Sequence, residues 1–164
     1  AWLKANKYGR VPTLMDHSAA DGKAMGLDQS AAIMLYVAEK SGRLVPHTPR
    51  ERAECYRWLM LHANDLGPAF NNSYYMARLP DAPKAAVKFF RDRTERYCRM
   101  IDDRLKKTRF LAGDEFSIAD CAIYPDATWA VKDFAGAKKL KNLQRWVKEV
   151  GARPAVAKAM KWGA

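Results

Sequence analysis

Hydrophobic and polar positions give this chain two textures. Up to Pro46 the pattern is short and mixed. The run Val11 to Asp16 is apolar and follows Gly9, so it predicts a strand, with Pro12 near its start where a missing N–H is tolerable. Asp21-Gly22 is a hairpin-turn signal, and Lys23 to Leu27 supply the returning strand. Asp28-Gln29-Ser30 opens a helix with Ile33, Tyr36 and Val37 on its apolar face, and Ser41-Gly42 ends it. A ribbon and one helix make a poor domain alone.

From Leu44 to Pro49 two prolines mark a linker. Beyond it apolar residues recur at steps of three and four. A helix from Arg50 carries Cys55, Trp58, Leu59, His62 and Leu66 on one stripe, with a kink expected at Gly67-Pro68. A second long helix carries Val87, Phe90, Thr94, Tyr97, Ile101 and Leu105. Gly113 breaks the chain, a third helix begins at Ser117, a fourth spans Ala137 to Val150, and a short one follows Pro154. The expected fold is therefore mainly α, with a lobe over residues 1–45 and an all-α domain over 46–164.

Composition narrows the class. The chain has 164 residues, 49% of them hydrophobic, enough to bury a core without metal or disulfide. No apolar run approaches the roughly 18 residues of a membrane span, and Ala1 to Arg10 lacks the apolar centre of a leader. Three cysteines, 55, 98 and 121, form no CxxC, which points to a reducing, cytoplasmic setting and away from zinc. The net charge is +11, and +9 of it falls after residue 49. Acids such as Glu95, Asp102, Asp103 and Asp133 interrupt the basic stretches, so solvated helix faces explain them better than a nucleic-acid surface.

Several residues invite chemical readings. Ser117 and Asp120 have capping-box spacing, a folding device. Gln29-Ser30 at a helix start offers free amides and a positive dipole end to a carboxylate or phosphate, or else is a plain cap. Val11-Pro12 could present extended backbone to a peptide-like ligand, and the residues leave cis or trans open. The cysteines read as buried small hydrophobes and His62 as a satisfied core residue; His17 and His47 lack partners at metal spacing. Asp102 and Asp103 are adjacent and diverge, against paired acid–base work. Tyr74-Tyr75-Met76 and Trp129 are either helix packing or the wall of a pocket for an electrophile.

Taken together, Asn6 to Asp16 with Gln29 to Glu39 resembles the glutathione-binding half-motif of the cytosolic glutathione S-transferases. Phe110 to Asp120 resembles the capping-box signature of their helical domain, and Gly151 to Val156 their C-terminal segment. Leu66 to Phe70 and Tyr124-Pro125 are most similar to the bacterial Nu-class and yeast prion-related branch, which includes glutathione-dependent disulfide reductases. The resemblance implies an all-helical transferase C-terminal domain preceded by a partial thioredoxin-like lobe of two strands and a helix. It implies that Val11, before a cis Pro12, pairs with the cysteinyl unit of glutathione. Ser30 holds the γ-glutamyl carboxylate, Gln29 contacts the same end, and Arg10 lies near the glycyl carboxylate. It also implies glutathione as co-substrate, no metal, an electrophilic or disulfide second substrate, and a homodimer. The family's catalytic Tyr, Ser, Thr or Cys lies in a strand–helix–strand unit before the first strand found here, so no catalytic residue is assigned. The chain is expected to start midway through that lobe and to lack normal transferase turnover. The alternative is a non-catalytic interaction module of the same fold that uses its basic surface.

Overall fold

The computed structural model describes residues 6–161. Residues 1–5, part of the stretch read for a leader, lie outside the described residues. The chain divides into two compact units, Ala1–Val45 and Pro46–Ala164.

In the first unit β1 (Thr13–Asp16) pairs antiparallel with β2 (Met25–Asp28), and α1 (Ser30–Ser41) packs on both strands. The register runs from Thr13 opposite Asp28 to Asp16 opposite Met25. The returning strand starts two residues later than expected, because the connection is a built loop, not a two-residue hairpin turn. Asp16 Oδ1 accepts the Ser18 amide at 2.8 Å and Asp21 Oδ1 accepts the Lys23 amide at 3.1 Å. Such side-chain turns occupy amides that a tight ladder would need. Gly42, at φ 64°, closes α1 in the left-handed conformation that glycine tolerates.

The second unit is all helix: α2 (Pro49–Leu61), a π-helical turn (His62–Leu66), α3 (Gly67–Met76), α4 (Lys84–Leu105), α5 (Ile118–Asp133), a 3-10 turn (Ala137–Lys139), α6 (Lys141–Gly151) and α7 (Pro154–Ala159). α2 starts at Pro49, and Thr48 caps it by accepting the Glu51 amide at 3.3 Å. The kink expected at Gly67-Pro68 is the π turn before it. Pro68 has no N–H to give to the turn behind it, and wider helical geometry there accommodates the loss. The core holds Trp58, Leu59, Phe70, Ile101, Ile123, Leu143, Trp146 and Val150, all 2% exposed or less. Each such side chain contributes roughly 1.5–3 kcal/mol by leaving water.

The predicted helix over 137–150 is two pieces, because Leu140 sits in extended conformation and offers no side-chain cap. Asp102 of α4 supplies that cap from outside, accepting the Leu143 amide at 2.8 Å and the Asn142 Nδ2 at 3.0 Å. Several arginines also do more than solvate a face. Arg104 donates to the Leu111 and Ala112 carbonyls at 2.9 and 3.1 Å. Arg145 donates to those of Leu105, Thr108 and Arg109, closing the end of α4.

The Ser117–Asp120 capping box is present at the start of α5. Asp120 also does what its spacing did not announce. Its Oδ2 takes the Ser117 amide and hydroxyl, both at 3.0 Å. Its Oδ1 takes the Leu111 amide at 3.0 Å and the Trp146 indole N–H at 2.8 Å. Burial pushes this carboxyl up, opposed by those four donors.

Candidate functional site

In the first unit the strand register decides which residues meet. Thr13 lies opposite Asp28 at one end of the ribbon. Val11-Pro12 comes just before Thr13 and Gln29-Ser30 just after Asp28, so both pairs emerge at that same end. The Val11–Pro12 peptide bond is cis. Val11 is 80% exposed, and Arg10, Pro12, Gln29 and Ser30 are exposed as well.

The loop before Pro12 is held by Asn6, which is 3% exposed. Its Nδ2 donates to the Arg10 carbonyl at 2.7 Å and to Thr13 Oγ1 at 3.0 Å. Its Oδ1 accepts the Tyr8 amide at 2.9 Å, and its carbonyl accepts the Gly9 amide at 3.1 Å. The sequence placed Asn6 inside a motif without a role. Its role is to fix the backbone that presents Val11.

Gln29 is the N-cap of α1, and it makes no side-chain cap bond. It sits at φ 67°, a region rarely used by residues other than glycine. The plain side-chain cap that the dipeptide allowed is therefore not formed. The Gln29 carbonyl accepts the Ile33 amide at 2.9 Å, so the helical ladder begins there. The amides of Ser30, Ala31 and Ala32 precede that first bond. They point out of the helix start with the positive end of its dipole behind them. The Ser30 hydroxyl stands on the first helical residue beside them. This arrangement suits a carboxylate.

The other end of the ribbon is an anchor. Asp16 Oδ2 accepts the Tyr36 hydroxyl at 2.5 Å and also pairs with the Lys40 ammonium. Lys40 reaches the Ser18 carbonyl at 2.8 Å as well. Tyr36 and Lys40 are one turn apart on α1, so the carboxylate pins the helix to the strand. Lys40, then Tyr36, hold the Asp16 carboxyl well below its ordinary range. Asp16 in turn raises both of theirs. The orientation of α1, and so of Ser30, rests on this contact.

The second unit holds a separate cavity of about 290 Å3 between α3 and α5. Phe70, Asn71, Tyr74, Tyr75, Asp126 and Trp129 line it. Trp129 meets Phe70 and Tyr74 edge to face, with centroids 6.3 and 5.5 Å apart. Tyr74 and Trp129 thus both pack against each other and line a cavity, so neither sequence reading excludes the other. His62 is satisfied, as expected, but falls short of full burial: its side chain is 16% exposed in the π turn, and its Nε2 lies 2.9 Å from Asp126 Oδ2. A Cβ at Gly67 would stand 3.0 Å from the His62 carbonyl oxygen and in ordinary contact, at 3.5 Å, with its ring.

The cysteines are poor nucleophiles. Burial pushes Cys98 up to about 12 and Cys121 up to about 11, and it raises Cys55 too. Among the described residues no group of three or more His, Cys, Asp or Glu is arranged to hold a metal. No described helix is long and apolar enough to cross a membrane.

Comparison with known proteins agrees with this architecture. Residues 73–149 match the glutathione S-transferase C-terminal domain family. The chain is 30% identical over 161 residues to the disulfide-bond oxidoreductase YfcG of Escherichia coli, covering 97% of this chain and 75% of that protein. It is 33% identical over 165 residues to the E. coli disulfide-bond oxidoreductase YghU, covering 94% of this chain and 56% of YghU. A glutathione transferase from Burkholderia graminis, crystallised with two glutathione molecules per subunit, superposes with a TM-score of 0.90 at 25% identity. That match covers 98% of this chain and 70% of the other. A partial thioredoxin-like lobe followed by an all-helical domain, with these relatives, places the chain in the cytosolic glutathione S-transferase superfamily.

Proposed function

We propose that the chain holds glutathione at the open end of its ribbon, for transfer of the thiol to an electrophile or a disulfide. The γ-glutamyl carboxylate sits on the first amides of α1 and the Ser30 hydroxyl, with Gln29 beside it. The cysteinyl unit lies along the Val11 backbone as an added strand, and Arg10 serves the glycyl carboxylate. The observation that carries this reading is the uncapped, exposed start of α1 at the same end as Val11-Pro12. Relatives with glutathione bound support it.

In the reaction the glutathione thiolate attacks. With an electrophile, a carbon–sulfur bond forms and the leaving group takes the displaced electron pair. With a disulfide, a mixed disulfide forms and the second sulfur leaves as a thiolate. Cys55, Cys98 and Cys121 are too high in pKa for that work at neutral pH. On this reading the attacking sulfur is that of glutathione, and none of the three cysteines takes its place. The reading places the lobe at 1–45, the helical domain at 46–164, and the protein in the cytoplasm. It includes a homodimer, as the family resemblance implies.

Calorimetric titration with glutathione tests the reading. Binding should fall at least about tenfold in Ser30→Ala, a change of about 1.4 kcal/mol, with no change in melting temperature. Equal affinity in the two proteins would refute it. Salt-dependent binding of RNA or an acidic protein, with no glutathione affinity, would favour the interaction module.

A further inference from the structure

We propose that the cavity between α3 and α5 selects flat second ligands that carry a positive charge, with Asp126 as the residue that sets this preference and His62 as its positioning residue. The term second ligand rests on the glutathione reading above; the charge preference does not, and can be measured without glutathione.

The cavity is an aromatic box with one anionic wall. Its volume of about 290 Å3 suits a molecule of one or two rings. Phe70, Tyr74, Tyr75 and Trp129 make the lining mostly aromatic, and the faces of such rings carry negative potential that favours cations. Asp126 is the lone charged side chain among the described lining residues. Asn71 and the tyrosine hydroxyls can each donate or accept, so they suit either sign and do not discriminate. Asp126 does. A benzoate-like anion would have to share the cavity with this carboxylate, whereas an amidinium or ammonium would pair with it.

Arg78, close in sequence to Tyr74, does not cancel this charge. Its guanidinium stacks 3.6 Å from the Tyr74 ring centroid and donates to the Tyr74 carbonyl, and it is absent from the cavity wall. The chain's net +11 repels cations at long range, yet the Debye length at physiological salt is about 8 Å, so local contacts decide occupancy.

His62 fixes which oxygen is free. A carboxylate accepts only from a protonated nitrogen, so the 2.9 Å contact requires a hydrogen on His62 Nε2. That bond takes Asp126 Oδ2, and among the described residues Oδ1 has no partner. The side chain of Asp126 remains 27% exposed. His62 thus holds the carboxylate in one rotamer with a free oxygen for the ligand.

The test uses three probes of one shape: benzamidine, benzamide and benzoate, titrated into the full chain and followed by ligand-observed NMR. In the unmodified protein benzamidine should bind at least about tenfold tighter than benzoate, with benzamide between them. Asp126→Asn should bring the three within about threefold of one another. Trp129→Ala should weaken all three. His62→Ala should erode the benzamidine preference and leave benzamide unchanged, and His62→Gln, whose amide can donate in place of Nε2–H, should restore it. A merely structural role for His62 would instead weaken all three probes alike. Benzoate binding as tightly as benzamidine, no binding of any probe at millimolar concentration, or an unchanged ranking in folded Asp126→Asn overturns the proposal. The unmodified protein's ranking decides even if a variant fails to fold. Glutathione titrations on the same samples are read separately, so loss of that reading leaves this one standing, and the reverse.

Discussion

Replacing Asp120 with Ala should destabilise the helical unit by about 3–5 kcal/mol, more than the loss of any ordinary helix cap. A cap alone is worth about 1 kcal/mol. Asp120 is fully buried and accepts four hydrogen bonds. Truncation leaves the Ser117 and Leu111 amides and the Trp146 indole N–H without their acceptor. Each orphaned buried donor costs about 1–3 kcal/mol. The Ser117 hydroxyl can rotate to another acceptor and adds little. Removing a carboxylate that burial already disfavours returns part of the cost, which sets the range near the lower sum. Urea unfolding at pH 7, followed by circular dichroism and by Trp fluorescence, measures the loss. At roughly 2–4 °C per kcal/mol for a chain of this size, the melting temperature should drop by about 6–20 °C. Asp120→Asn keeps one acceptor oxygen and should lose about half as much. Asp114→Ala, an exposed acid in the preceding loop, should change stability by less than about 0.5 kcal/mol. A loss below about 1 kcal/mol for Asp120→Ala would refute the four-bond account and reduce the residue to a simple cap.

Two further outcomes follow from the titrating groups. Asp16 has a folded pKa below its ordinary 3.8, so its contribution is present above pH 3.8 and is lost as pH falls through the lower folded value. Protection of α1 amides, measured against their intrinsic exchange rates, should therefore fall below pH 3.8 in the unmodified protein, while Asp16→Asn should be less protected at neutral pH and lose this acid step. Equal exchange at neutral pH in both would sink the anchor role. With thiol pKa values of about 12 and 11, Cys98 and Cys121 should resist alkylation by iodoacetamide at pH 8 in the folded protein and react fully in urea. Prompt modification of either in the folded protein would contradict their environments.

The helical unit was legible because its signals are local and periodic. Stripes at three and four residues located the helices after Arg50 and over Val87–Leu105, and the Ser117–Asp120 spacing located the start of the next one. What escaped was non-local. Nothing near Leu140 says that Asp102, far back on α4, will cap the helix beginning at Lys141. The Thr48–Glu51 cap was a readable local signal that the two flanking prolines masked. In the ribbon lobe the motif residues were visible, while their convergence at one end depended on the strand register. His62 falls short of the full burial its stripe predicts because the stripe continues through what is a π turn, where the helical phase changes. The cavity's charge preference was unreadable for the same reason: Asp126 meets His62 across 64 residues.

That π turn has a consequence for how this fold can change. It fits one extra residue into a helix, and one residue is worth about 100° of rotation. Upstream, α2 turns Cys55, Trp58 and Leu59 to the core; downstream, α3 turns Phe70, Tyr74 and Tyr75 to the cavity. Deleting a single residue within His62–Leu66 would swing all of α3's lining residues by that angle without substituting any of them. Ligand preference in this scaffold can therefore be rewritten by an insertion or deletion outside the cavity, a route that a catalogue of its wall residues would never reveal.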